Sequence, residues 1–111
     1  HVDAAAREIA AAGLAARIMI DFSHANSNRD FRRQLDVARD VAAQLAAGED
    51  RIIGAMVESH LVEGRQNIEP GKSLERGKSV TDACLGWDDS VALLEILAQG
   101  VRERRLAVAG R

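Results

Sequence analysis

Aromatic residues are scarce in this 111-residue chain: Phe22, Phe31 and Trp87 are the whole set, and tyrosine is missing. Apolar residues reach 47%, but many of them are alanine, so an aliphatic and rather thin core is expected. Cysteine occurs once, at Cys84, which excludes an internal disulfide framework and fits a reducing compartment. Neither charge sign dominates. The formal net charge is -2 with acids and bases interspersed, so no field would draw in nucleic acid or an anionic membrane. No apolar run approaches the roughly 20 residues that span a bilayer. The opening "HVDAAAREIAAAG" lacks the basic start and continuous apolar stretch of a secretory leader. A soluble, cytoplasmic protein of one small domain is the expectation.

What is present alternates between two periodicities. Val2 to Ala12 is alanine-rich, with Arg7 and Glu8 on the wet side and Gly13 placed as a helix stop. "ARIMIDFSH", Ala16 to His24, reads as a strand, and "ANSN" as a turn in which Ser27 or Asn28 caps the next helix. In "RDFRRQLDVARDVAAQLAAG", Phe31, Leu35, Ala38, Ala42 and Leu45 recur at spacings of three and four and share one helix face; Gly48 ends it. "RIIGAMVESH" is a second strand, apolar on both faces as if covered on both sides. Residues 61–79 hold three glycines and the only proline without clean periodicity, and read as a long functional loop. "SVTDACLGW" reads as a third strand, and "DDSVALLEILAQGVRERR" as a final amphipathic helix capped by Asp88 or Asp89. Arg102, Arg104 and Arg105 near its end suit the helix dipole.

This order is the grammar of a parallel α/β sheet. Three strands are few, since a closed (β/α)₈ barrel takes about 250 residues. The expectation is therefore part of a larger barrel, built of about three strands.

Parallel α/β folds carry their chemistry at the carboxyl ends of the strands. The first strand offers His24 there, the second Glu58 with His60 two residues on, and the third Asp82. Alternation along parallel neighbours would point His24, Glu58 and Asp82 into one space above the sheet. One imidazole and two carboxylates suit Mn²⁺, Fe²⁺, Co²⁺ or Zn²⁺, and equally suit acid–base work without a metal. Each also has an ordinary structural role open to it: a hydrogen-bonded strand-end histidine, a glutamate paired with arginine, an aspartate capping a turn. His60 reads as a loop residue and Cys84 as a buried structural thiol. Asp21, on the face opposite His24, reads as paired with a neighbouring base or amide. Arg32, Arg33 and Arg39 read as solvated surface.

Three stretches taken together, "MIDFSHANS", "IIGAMVESHLVEGRQ" and "GKSVTDACLGW", resemble the carboxyl-terminal part of type I 3-deoxy-D-arabino-heptulosonate-7-phosphate (DAHP) synthase, a phospho-2-dehydro-3-deoxyheptonate aldolase. The resemblance runs over nearly all of residues 1–111. It implies a segment of a (β/α)₈ TIM barrel that condenses phosphoenolpyruvate with erythrose 4-phosphate in the shikimate pathway to aromatic amino acids. It implies His24, Glu58 and Asp82 as ligands of a divalent metal, with His24 and Asp82 in the catalytic set and Asp82 orienting the aldose. The family's fourth ligand, a cysteine from an early strand, has no counterpart here, and neither does its phosphate-binding "KPRT" motif. The isolated chain is accordingly expected to be inactive and to homo-oligomerise. The alternative is a non-catalytic module that pairs through an exposed β surface.

Overall fold

In the computed structural model, which describes residues 1–110, the chain begins with an alanine-rich helix, α1 (Val2–Ala11). Gly13 follows it at φ +79°, a conformation open to glycine at no Cβ cost, and the chain turns there into β1 (Ile18–Asp21). A 3₁₀ turn at Phe31–Arg33 leads into α2 (Gln34–Ala46). Strand β2 (Ile52–Met56) then returns parallel to β1, with Ile20 opposite Ala55 and Asp21 opposite Met56. This β1–α2–β2 crossover is the α/β unit that the alternating periodicities predict.

The segment after β2 departs from expectation. Residues 61–79 are not all loop: β3 (Val62–Arg65) and β4 (Lys78–Ser79) lie inside that range and pair in parallel as a separate two-stranded sheet. The Gln66 side chain ties the excursion between them, donating to the carbonyls of Glu75 and Lys78 and accepting from the Glu75 N–H. Conversely, "SVTDACLGW" is not a third strand of the main sheet. Only isolated bridges remain, Cys84 with Gly64 and Leu85 with Ser59. The Ser79 hydroxyl accepts from the Thr81 N–H at 3.1 Å, a local bond that takes the backbone off the ladder.

Helix α3 (Trp87–Ala109) runs four residues past the expected end at Arg105 and packs across α2. The contact is tight at one point: a Cβ on Gly100 would lie 2.9 Å from the Ala42 carbonyl oxygen and 3.0 Å from its Cα. The core sits between these helices and one face of the β1–β2 sheet: Phe22, Ala38, Val41, Leu45, Ile52, Leu85 and Leu93. Phe22, Leu85 and Leu93 are the largest apolar side chains fully buried in it, each worth on the order of 2 kcal/mol. Phe22 pins the end of β1, and Leu85 pins the stretch that carries Asp82.

The sheet is covered on one side only, contrary to the reading of "IIGAMV" as apolar on both covered faces: Ile52 is buried while Ile53 is 60% exposed and Met19 64%. The chain is drawn out to 60 × 31 × 18 Å, with a radius of gyration of 16.9 Å, against about 13 Å for a compact chain of this length. Among the described residues no helix is long and apolar enough to cross a membrane.

The caps also differ from expectation. Ser27 and Asn28 do not cap the helical stretch; the Asp30 carboxylate does, accepting from the Arg32 N–H at 3.1 Å. Neither Asp88 nor Asp89 caps α3, because the helix already starts at Trp87 and both lie inside its first turn, where their charge favours the dipole.

Candidate metal centre

Strand β1 stops at Asp21, and the Phe22 N–H still donates to the Met56 carbonyl at 2.8 Å, carrying the register one residue further. The chain then folds back on itself instead of continuing as a strand to His24. Asp21 organises this turn: one carboxylate oxygen accepts from the Ser23 N–H at 2.8 Å, and its carbonyl accepts from the Asn26 side chain at 2.7 Å. The His24 carbonyl accepts from the Arg29 N–H at 2.7 Å and from the buried Ser27 hydroxyl at 3.3 Å. His24, Asn28 and Arg29 all take the left-handed backbone region, at φ +51°, +53° and +59°. Non-glycine residues occupy that region at a cost of roughly 1–2 kcal/mol each, and such outliers gather where a side chain must be aimed.

The expectation that Asp21 is paired with a base or amide holds, but not its placement opposite His24. The turn swings the imidazole round so that Asp21 Oδ2 meets His24 Nδ1 at 2.9 Å. With Nδ1–H donating to that carboxylate, the Nε2 lone pair faces away from Asp21. It lies 3.3 Å from Glu58 Oε1 and 3.5 Å from Asp82 Oδ2. The Asp21 hydrogen bond raises the imidazole above its ordinary pKa against an opposing desolvation, helped by the Asp21 charge, by hydrogen bonding to Asp82 and by the Glu58 charge.

Glu58 lies two residues past the end of β2, held by partners on both its main chain and side chain. Gln34, fully buried at the start of α2, accepts from the Glu58 N–H at 2.9 Å and donates to its carbonyl at 3.0 Å. The Leu85 N–H donates to the same carbonyl at 3.0 Å, and the buried Ser23 hydroxyl donates to the Glu58 carboxylate. The alternative of an arginine partner for Glu58 is not what the structure shows. Asp82 is the most open of the three, its side chain 66% exposed. It sits in the irregular stretch between β4 and α3, steadied by Arg65, whose Nε donates to the neighbouring Thr81 carbonyl at 2.9 Å.

His24, Glu58 and Asp82 thus converge, each offering one ligand atom, with all of these atoms within 4.8 Å of one another. Donors about 2.0–2.2 Å from a common ion stand no further apart than this, and a nitrogen with two carboxylate oxygens is a donor set for Mn²⁺, Fe²⁺, Co²⁺ or Zn²⁺. Asp21 behind the imidazole and Ser23 behind Glu58 are the kind of support that orients metal ligands. The residues fit a divalent cation.

Cys84 and His60 lie outside the donor set. The Cys84 thiol is buried and donates toward the Asp82 carbonyl at 3.4 Å; burial, then the nearby Glu58 charge, pushes its pKa up, so it stays protonated. His60 is exposed, and its Nδ1 accepts from the Leu61 N–H. Ser23, Gln34, Arg29 and Arg65 are the site residues that sequence patterning passes over. The one signal for Gln34 is slight, a single amide beside the apolar stripe of α2.

The chain matches the sequence pattern of the DAHP synthetase I family over residues 1–95. It is 56% identical over 105 residues to the Phe-sensitive phospho-2-dehydro-3-deoxyheptonate aldolase of Escherichia coli K12, covering 95% of this chain and 30% of that protein. The phenylalanine-inhibited enzyme of Saccharomyces cerevisiae is 53% identical over 95 residues, covering 83% of this chain and 26% of the yeast protein. The solved phospho-2-dehydro-3-deoxyheptonate aldolase of Francisella tularensis SCHU S4 superimposes with a TM-score of 0.88 at 39% identity, covering 94% of this chain and 30% of that one. The chain therefore spans under a third of the length of these relatives. With the pattern matched over most of its residues and its backbone following a solved member, the chain belongs to the DAHP synthetase I family.

Proposed function

We propose that this chain is one segment of a DAHP synthase barrel, and that it supplies the His24–Glu58–Asp82 donors of a divalent metal used to condense phosphoenolpyruvate with erythrose 4-phosphate. The observation that carries the reading is the convergence of one imidazole nitrogen and two carboxylate oxygens within 4.8 Å, beside the carboxyl ends of β1 and β2. The drawn-out shape and the exposed Met19 and Ile53 of the β1–β2 sheet support a segment against which the remaining barrel strands lie.

When bound, a divalent cation supplies Lewis-acid polarisation of the aldehyde oxygen. The chain's own residues do the positioning. Asp21 keeps the proton of a neutral His24 on Nδ1 and leaves Nε2 free as a donor. Ser23 turns the Glu58 carboxylate toward the imidazole. Asp82, at the open mouth, accepts from a hydroxyl of the incoming aldose and so orients it toward C3 of the enol pyruvate.

Titration of the purified chain with Co²⁺, followed by visible absorption, tests the reading. Saturable binding is expected, reduced at least tenfold in Glu58→Gln and in Asp82→Asn, on the scale of a lost ligand or its support. Absence of binding by the wild-type chain overturns it. Phosphate release from the two substrates is expected to be nil with this chain alone, because the rest of the barrel wall is supplied elsewhere in the relatives.

A further inference from the structure

Between Ser79, the last residue of β4, and Cys84 the chain leaves the ladder, and Asp82 rides on this bight. Both ends of the bight are tied to the neighbours of one residue. The Gln66 N–H donates to the Ser79 carbonyl at 2.8 Å, and Gly64 and Cys84 exchange N–H donors and carbonyls at 2.8 and 3.1 Å. Arg65 lies between those anchors. Its Nε donates to the Thr81 carbonyl at 2.9 Å, and its Nη2 donates to Asn67 Oδ1 at 3.0 Å, which braces the guanidinium. Among the described residues, the other hydrogen bonds to the main chain of residues 80–83 are local: the Thr81 N–H donates to the Ser79 hydroxyl, and the Cys84 thiol donates toward the Asp82 carbonyl. The Thr81 carbonyl shares a planar peptide with the Asp82 N–H, so the Arg65 bond constrains the direction in which the Asp82 side chain leaves the backbone.

Arg65, Thr81 and Asp82 line a cavity of about 230 Å³ together with His24 and Glu58. A guanidinium in such a place has carboxylates to pair with. Among the described residues it makes no ion pair with Asp82, whose Oδ2 faces His24 Nε2 at 3.5 Å instead. We propose that Arg65 is a positioning residue of the metal centre: it holds the Thr81–Asp82 peptide, and so aims the Asp82 carboxylate at the donor set without occupying that carboxylate. The proposal deepens the metal-centre reading and rests on it for the effect on a cation, though not for the effect on the backbone. Two actions of Arg65 oppose each other there. Its positive charge repels a cation in the same cavity, whereas its hydrogen bond places a ligand. Support of a ligand is worth roughly 10–100-fold in metal affinity, while the charge of the exposed Arg65 is screened by water and salt. Positioning wins.

Titration with Co²⁺, followed by visible absorption, tests this with Arg65→Met made both in the wild-type chain and in Asp82→Asn. Methionine keeps the stem and removes the charge and every donor. Arg65→Met is expected to weaken Co²⁺ about tenfold in the wild-type chain, and not at all in Asp82→Asn, where no carboxylate is left to aim. Arg65→Lys, which keeps the charge and a single donor group, should recover part of the loss. Nitrogen-15 relaxation of the metal-free chain gives a second readout. The amide order parameter of Asp82 should fall from about 0.85 to below about 0.6 in Arg65→Met, with the Gly64 and Cys84 amides unchanged. Equal or tighter Co²⁺ binding by Arg65→Met overturns the proposal, and so does an equal loss in the two backgrounds. If the wild-type chain binds no Co²⁺, the metal reading fails, and the positioning role then stands or falls on the Asp82 amide alone.

Discussion

The Gln34 side chain grips the Glu58 peptide from both sides, its Oε1 accepting from the Glu58 N–H at 2.9 Å and its Nε2 donating to the Glu58 carbonyl at 3.0 Å. A buried amide thereby completes the end of β2 as a further strand would, and fixes where the Glu58 carboxylate emerges. Replacement by leucine roughly keeps the volume and removes both bonds, together with the one that Nε2 donates to the Phe31 carbonyl at 3.1 Å. Gln34→Leu is expected to cost about 1–3 kcal/mol, because the Glu58 N–H loses its buried partner while the Glu58 carbonyl keeps the Leu85 N–H, and to weaken Co²⁺ binding as well. Urea unfolding read alongside the cobalt titration separates the two effects. Unchanged values in both would show that the Gln34 bridge does not position Glu58.

Asp21 stands behind His24 as its hydrogen-bond acceptor at 2.9 Å. Asp21→Asn puts an amide where the carboxylate was and removes the preference for the Nδ1–H tautomer. A loss of 10–100-fold in Co²⁺ affinity is expected, roughly the usual range for supports of a ligating histidine. Nitrogen-15 NMR of the imidazole would show the tautomer directly, and the prediction fails if Nδ1 remains protonated to the same extent.

Gly100 lies against Ala42 with no space for a methyl group. Alanine is the better helix former by about 1 kcal/mol, yet the atoms that a new Cβ would meet are the Ala42 carbonyl oxygen, Cα and Cβ, none of which can rotate aside. Gly100→Ala should destabilise by about 1–3 kcal/mol. Thermal unfolding settles the sign, and a rise in Tm would mean that α2 and α3 can part cheaply.

Glu49 accepts from Arg51 at its main chain and its guanidinium, and this pairing holds its carboxyl down to about 2 from an ordinary 4.5. A carboxylate with a depressed folded pKa contributes stability that is fully present above its unfolded value and drains away as pH falls through the folded one. The contribution should thus be intact above about pH 4.5 and lost toward pH 2. Glu49→Gln should flatten the pH dependence of the urea midpoint in that window and leave its slope near neutrality unaltered. Identical acid limbs in the two proteins would refute the assignment.

Sequence patterning located α2 well because its apolar residues repeat along a face, α1 because it is rich in alanine and stopped at Gly13, and β1 and β2 because short apolar runs have few other solutions. It placed His24, Glu58 and Asp82 near one another for a reason that holds only in part. Glu58 follows a parallel strand as expected, but His24 is brought in by a left-handed turn and Asp82 by an irregular stretch. Neither position is encoded in an alternation of side chains. Residues 79–87 look like a strand by composition, and what removes them from the ladder is a set of local hydroxyl bonds at Ser79 and Thr81. Gln34 was invisible for a different reason: its partner lies 24 residues away, and a lone amide beside an apolar stripe reads as surface.

Cys84 carries the only sulfhydryl of the chain, is buried, and has its N–H and carbonyl both laced to Gly64. A thiol-reactive dye can reach it only when those two backbones separate. The labelling rate at Cys84 is therefore a built-in clock on the opening of the wall that carries Asp82 and Arg65, and it needs no engineered cysteine. Any ligand that closes the cavity should slow that clock.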